Sequence, residues 1–217
     1  QISLMKKTAV IEGYDMEREL LESYAGNDPI LLFNRWFEDA QKAGIFLAEG
    51  MTLATTTKDG VPSARVVLLK EVDDEGFVFY TNFESRKAVE LDKNPQGALV
   101  FWWNELERQV RIEGRVEKVP DERSDDYFKG RPRERQLGAW ASHQSRVVSD
   151  RDELDRRFGA LEREYDGKEI PRPPYWGGYC LIPDSVEFFQ ARSDRLNDRL
   201  IYRRGGKADW VRERLAP

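Results

Sequence analysis

The sequence predicts a mainly β protein with packed helices, an antiparallel barrel or sandwich, and three observations predict it. Short runs of β-branched and aromatic residues recur between residues 51 and 119, separated by tight turns. Similar runs resume after residue 178. The longer helical patterns stay in two blocks, near residue 30 and from 120 to 165, instead of alternating with strands as a parallel α/β sheet requires.

Residues 1–27 are polar and irregular, as expected of a flexible arm ahead of a single domain over 28–217. Asp28-Pro29 opens a helix, because Asp suits the N-cap and Pro suits the first turn, where its missing N–H costs nothing. Leu32, Phe33, Trp36, Phe37 and Ala40 follow at helical spacing, and the pattern stops near Gly44. Met51–Thr57 reads as a strand, Lys58-Asp59-Gly60 as a turn, and Ser63–Val72 as one further strand. After a turn at Asp73-Asp74-Glu75-Gly76, Phe77–Asn82 is a third strand and Ser85–Lys93 a short helix. Strands at Ala98–Trp103 and Arg108–Val119 complete a barrel core over about 45–120.

The helical segment then runs from Pro120 to Tyr165. Ser149-Asp150-Arg151-Asp152 offers a variant capping box, and Leu154, Phe158, Leu161 and Tyr165 form an apolar stripe. Lys168 to Pro174 reads as a rigid, proline-rich connector. Strands resume at Gly178–Ile182, Val186–Ala191, Arg199–Arg204 and Trp210–Leu215.

Composition narrows the function. Hydrophobic residues at 40% and charged residues at 35% describe a globular chain on the polar side. A net charge of −5 argues against a general nucleic-acid binder. No stretch approaches the roughly eighteen apolar residues of a membrane span, and residues 1–7 carry no signal-peptide core. Cys180 is the single cysteine, so no intrachain disulfide can form and the chain reads as cytoplasmic. Starting at Gln1, it reads as lacking its native N-terminus. His143 is the single histidine, which nearly excludes a zinc site built from His and Cys. A Ser-His-Asp triad would have to use His143, whose neighbours form no known motif. Chemistry is therefore expected from a bound cofactor, with the protein supplying cations and amides.

Five segments hold those groups. Arg65-Val66-Val67-Leu68-Leu69-Lys70 places cations at both ends of an apolar strand; they either reach solvent or meet an anion. Tyr80-Thr81-Asn82 ends a strand, and Ser85-Arg86-Lys87 begins a helix, where free N–H groups beside cations suit a phosphate. Gln109 lies on a strand among Glu107, Arg108 and Arg111, as an amide for a heterocycle edge or as part of a solvated face. Tyr127 and Arg131 stand four apart, placed to grip a phosphate from one helical face, with Gln144 and Ser145 farther on. Arg195 and Arg199 flank Asp198, as an ion-pair network or an anion site.

Taken in order, SARVVLLK, FYTNFESRKAVEL, ERQVRIEG, RPRERQLGAWASHQS, WGGY, RLNDR and ERLAP resemble the pyridoxine/pyridoxamine 5′-phosphate oxidase family over nearly the whole of residues 28–217. The resemblance implies an FMN-binding split barrel, a Greek-key-type antiparallel barrel with packed helices, in a homodimer with flavin sites at the interface. It implies FMN contacts from Arg65, Val66, Val67, Leu68, Leu69 and Lys70, then from Tyr80, Thr81, Arg86 and Lys87. Gln109, Gln144, Ser145, Phe189 and Arg199 complete that set. Lys70, Tyr127, Arg131, Arg135, Arg195 and Asn197 match substrate positions, with Arg195 and Asn197 expected to be catalytic. The implied reaction oxidises pyridoxine or pyridoxamine 5′-phosphate to pyridoxal 5′-phosphate with dioxygen, releasing hydrogen peroxide, and ammonia from the amine.

Three positions depart from the family pattern. Asn197 stands where His is usual, Arg135 where Ser is usual, and Phe189 where Trp is usual. Asn197 can hydrogen-bond but cannot titrate near neutrality. Arg135 adds charge and bulk beside the expected substrate phosphate, and Phe189 lacks an indole donor. These changes leave open a related flavin oxidase acting on a phenazine precursor, a non-catalytic FMN or pyridoxal-phosphate binder, and a nicotinamide-dependent flavin reductase.

Overall fold

The computed structural model describes residues 19–206 and 209–217. Helices α1 (Glu22–Ala25) and α2 (Pro29–Lys42) come first, then strands β1 (Gly50–Thr56), β2 (Pro62–Leu68), β3 (Glu71–Val72) and β4 (Phe77–Asn82). Helix α3 (Arg86–Lys93), β5 (Gln96–Trp103) and β6 (Arg108–Lys118) follow, then α4 (Asp121–Lys129), α5 (Arg133–Ala141) and α6 (Arg151–Glu164). The chain closes with β7 (Trp176–Gln190), β8 (Asp198–Gly205) and β9 (Asp209–Arg214). Strand order in the sheet is β2-β1-β5-β6-β7-β4-β3, with β8 pairing β7 and β9 pairing β8. The β3–β4, β4–β7, β7–β8 and β8–β9 pairs are all antiparallel.

The described residues gather into two compact units, the first comprising 19–51, 100–112, 184–206 and 209–217, the second 52–99 and 113–183. In the first, the Asp28 carboxylate caps α2, accepting from the Ile30 and Leu31 amides at 2.8 and 3.3 Å. Leu32, Phe33, Trp36 and Ala40 are buried, as their spacing predicts. Phe33 meets Phe101 edge-on at 5.1 Å, and Trp36 meets Phe188 at 5.2 Å, so α2 covers β5 and β7 side chains.

The expected flexible arm is corrected where it can be seen. Residues 1–18 lie outside the described residues, but Leu20 and Ala25 are buried. Tyr202 donates to the Gly26 carbonyl at 2.9 Å, and Arg214 donates to the Leu20 carbonyl at 2.8 Å. Those tertiary bonds order a polar stretch that has no periodicity of its own.

In the second unit, the Asp73 carboxylate accepts from the amides of Glu75 and Gly76, closing the predicted turn. Gly76 has φ 158° and its Cα faces the Leu181 carbonyl, where a Cβ would come to 2.0 Å. Phe128, Leu137, Ile170 and Trp176 form a core against which Phe158, Leu161 and Tyr165 of the predicted stripe pack. The start of α6 is held by Asp150, which accepts from the Glu153 amide at 2.8 Å, while Glu153 accepts from the Ser149 amide at 2.8 Å.

Two strand boundaries differ from the sequence reading. Ser63–Val72 is two strands, because the pairing breaks at Leu69-Lys70 and the Lys70 amide donates to Val78. Leu69 is buried while Val66 is 69% exposed, as alternation along the strand places them on opposite faces. Conversely, the two strands expected at 178–182 and 186–191 are one, β7, running through Pro183. Gly114 lets that proline pass, since a Cβ there would lie 2.0 Å from the Ile182 carbonyl oxygen.

Candidate functional site

The second unit collects six of the predicted residues into one cluster. Arg65 comes from β2, Thr81 from the end of β4, Arg86 and Lys87 from the start of α3, and Gln144 and Ser145 from the segment after α5. Lys87 is buried, and its Nζ donates to Gln144 Oε1 at 2.8 Å and to Thr81 Oγ1 and Ser85 Oγ at 3.1 Å each. All three acceptors are neutral. No ion pair of Lys87 occurs among the described residues, an expensive state for a buried ammonium. Burial, reinforced by the nearby Arg65 charge, pulls its pKa down to about 8.

Ser85 sits at the N-cap of α3 but does not cap it; its hydroxyl is turned to Lys87. The Arg86 amide, one of the open donors at that helix start, reaches Ser145 Oγ at 3.2 Å. Ser145 has φ 70°, a left-handed conformation that non-glycine residues adopt rarely and often at functional loops.

Glu90 was not singled out in the sequence, although its i,i+4 spacing from Arg86 is a visible signal. It is buried and accepts from Thr55 Oγ1, from Ser63 Oγ at 2.6 Å and from Arg86 Nε at 2.9 Å, with Arg65 Nη2 at 3.4 Å. Burial opposes its charge, but the Ser63 and Thr55 hydroxyls and Arg86 together hold the carboxyl at about 2. Arg65 is heavily engaged by the protein itself: Nη1 donates to Leu53 O and Thr55 Oγ1, and Nη2 to Ser63 and Glu90. Val66 faces outward and Leu69 inward, so the apolar run between the cations splits between solvent and core.

A second group surrounds Tyr80. Its ring stacks on Tyr127 at 3.8 Å and 4°, and Trp176 lies nearly parallel at 5.6 Å from Tyr80. Tyr80 donates to Glu71 Oε1 at 2.9 Å, and Arg123 clamps Glu71 and Asp73 at 2.7 Å each. Burial and the Glu71 acceptor raise the Tyr80 phenol far above its ordinary pKa. Arg131 lies 4.5 Å over Trp176, with a buried Nη1 that has no hydrogen-bond partner. Arg135 is exposed, and its charge acts on both Arg131 and Tyr127. Lys70 is half-buried beside Glu71.

The WGGY motif acquires a mechanism here. A Cβ on Gly177 would meet Phe83 Cζ at 2.5 Å, and one on Gly178 would meet Val119 Cγ2 at 2.6 Å and Tyr80 Cε1 at 2.8 Å. The two glycines let β7 approach the aromatic stack closely, and Trp176 joins it, a participant the sequence reading missed.

In the first unit, Gln109, Phe189, Arg195, Asn197 and Arg199 form no comparable cluster. Phe189 pairs with Arg199 across β7 and β8. Buried Glu187 accepts from Arg199 at 2.9 Å and also pairs with Arg111. Asn197 Oδ1 accepts from the Arg192 amide at 3.0 Å and thereby shapes the loop. Arg195 is exposed at φ 68°, and its side chain has no partner among the described residues. Gln109 is half-buried. No group of His, Cys, Asp and Glu among the described residues is arranged to hold a metal, and no helix there is long and apolar enough to cross a membrane.

Comparison with known proteins adds identity to this geometry. A family described as pyridoxamine 5′-phosphate oxidase matches residues 37–162, and one described as the pyridoxine 5′-phosphate oxidase C-terminal dimerisation region matches 176–217. The chain is 54% identical to a pyridoxine/pyridoxamine 5′-phosphate oxidase of Microcystis aeruginosa, covering 94% of this chain and 95% of that one. It is 53% identical to the protein of that name from Salinibacter ruber, covering 98% and 100%. The crystal structure of PhzG from Burkholderia lata, in complex with tetrahydrophenazine-1-carboxylic acid, superposes with a TM-score of 0.86 at 35% identity, covering 91% of this chain and 98% of that one. A pyridoxamine 5′-phosphate oxidase-related FMN-binding protein of Nostoc punctiforme shares the fold at a TM-score of 0.70 and 15% identity, covering 88% and 100%.

Proposed function

The chain belongs to the pyridoxamine 5′-phosphate oxidase family and has its split-barrel fold, and from that premise we propose that it oxidises pyridoxine and pyridoxamine 5′-phosphates to pyridoxal 5′-phosphate, using FMN and dioxygen. Relatives of that name match over nearly the whole chain. The observation that carries the reading is Lys87, a buried cation surrounded by neutral oxygens. A phosphate supplies the charge this site lacks. FMN, when bound, supplies the two-electron acceptor that dioxygen restores, with hydrogen peroxide as product.

The cluster fits that cofactor. Lys87, the Nη groups of Arg86 and the Ser145 hydroxyl are assigned to its phosphate, with Thr81 and Gln144 orienting Lys87. Lys70, Gln109, Phe189 and Arg199, with the Val66–Leu69 backbone, are assigned to the remainder of the flavin. Arg131, with its orphaned Nη1, is assigned to the substrate phosphate together with Tyr127, Lys70 and Arg135. Arg195, exposed and without a side-chain partner among the described residues, is assigned to holding the substrate's reacting end, and Asn197 to setting the Arg195 loop.

A homodimer and a cytoplasmic location belong to the same proposal. The first rests on the dimerisation region matched by residues 176–217, the second on a lone, buried Cys180. The PhzG likeness supports a second reading, oxidation of a phenazine precursor, at lower identity than the B6 oxidases show.

Anaerobic spectroscopy separates the readings. Pyridoxine 5′-phosphate is expected to bleach the flavin absorption of the purified protein, and air to restore it. A flavin that ignores B6 phosphates yet is bleached by a dihydrophenazine carboxylate would replace the first reading with the second.

A further inference from the structure

Resting on the flavin reading above, we infer that Glu90 is a positioning residue for the cofactor phosphate, fixing Arg65 and Arg86 around the anion without touching it. A carboxylate in an anion site is at first sight a liability, since it subtracts from the attraction. Glu90 is nevertheless buried among the cations, with two hydroxyls and two guanidiniums converging on its oxygens. Oε2 takes Thr55, Ser63 and Arg65 while Oε1 takes Arg86, so the carboxylate is turned to the protein's own donors.

Its effect on the two arginines differs. Arg65 spends both Nη groups on Glu90, Ser63, Thr55 and Leu53, which fixes its charge in place. Arg86 is held by Nε, which leaves its Nη groups without a partner among the described residues on a side chain 61% exposed. Three cations against one carboxylate leave two net positive charges, matching a phosphate monoester of roughly −2. Without Glu90, three mutually repelling cations would share the pocket, and Arg65 already depresses Lys87. Fixing two of them in advance lowers what ordering must cost when the anion arrives.

The test compares FMN with riboflavin, which lacks the phosphate. The full chain, stripped of flavin, is titrated with each ligand by fluorescence quenching, and circular dichroism reports the fold. For Glu90→Gln, the FMN dissociation constant is expected to rise about tenfold or more while that for riboflavin stays within about twofold. Unchanged or tighter FMN binding overturns the inference, as does an equal loss for both ligands, which marks a purely structural role. Should Glu90→Gln fail to fold, Ser63→Ala decides: an FMN-specific loss of about threefold is expected, and no loss overturns it. A wild-type chain that binds no FMN would instead sink the flavin reading.

Discussion

The two units differ in one buried cation: the second holds Lys87 without a counter-charge among the described residues, whereas the first pairs Arg108, Arg111 and Arg199 with carboxylates. In residues 52–99 and 113–183, Lys87 is buried with only neutral partners among the described residues, and Arg131 carries a buried donor with no partner among them. In residues 100–112 and 184–217, Arg199 and Arg111 share the buried Glu187, although Arg111 Nε is itself a buried donor without a partner among the described residues, and Arg108 is paired with Asp39 at 2.8 Å. Arg195 is the exception there, exposed on a strained loop. The difference teaches how to read charge: a buried cation left without a counter-charge marks where an anion belongs, whereas a cation already paired with a carboxylate carries no such demand of its own.

The sharpest way to break this comparison is to delete the exception. Arg195→Ala is expected to lower kcat/KM for pyridoxamine 5′-phosphate by a hundredfold or more, on the order of losing one charged transition-state donor, with flavin content unchanged. Normal turnover in steady-state assays would remove Arg195 from the chemistry.

Next comes the buried cation of the other unit. Lys87→Met is expected to weaken FMN binding by about a hundredfold while leaving the folded chain as stable as before or more so, because the uncompensated charge is gone. Flavin titration and thermal melts check the two halves. A large loss of stability would show Lys87 to be architecture after all.

The same residue predicts a pH effect. Its folded pKa of about 8 lies below its ordinary 10.5, so the unfolded chain binds more protons between those values. Stability of the flavin-free protein therefore rises with pH across that window, since the charged form is the one burial penalises. Phosphate binding needs the charged form, so FMN affinity is expected to fall about tenfold for each pH unit above about 9. Flat affinity from pH 7 to roughly 10 would place the charge elsewhere.

The smallest effect concerns the loop. Asn197 acts by holding the Arg192 amide, so Asn197→His is expected to change kcat only a few-fold, and to add a dependence near pH 6.5 if the imidazole titrates in turnover. A pH–rate profile shows which.

Much of this was legible beforehand, and particular residues show why. Asp28-Pro29 marked a helix start that its side chain and ring impose locally. The Asp73–Gly76 turn is written in residues whose preferences are equally local. Neither the break at Leu69-Lys70 nor the continuity of β7 through Pro183 was legible, because both depend on a partner strand or on the missing Cβ of Gly114. The ordering of residues 19–27 escaped for the same reason, since its donors lie nearly two hundred residues away in Tyr202 and Arg214.

The sequence by itself determined the fold class, the family and the identity of the candidate residues, through local periodicity and ordered motifs. Only the tertiary structure decided which cations are already neutralised. Arg65 and Lys87 look alike in a string of letters, yet Glu90 stands beside one and three neutral oxygens surround the other. That distinction is electrostatic and depends on distances between distant segments, which no local pattern encodes.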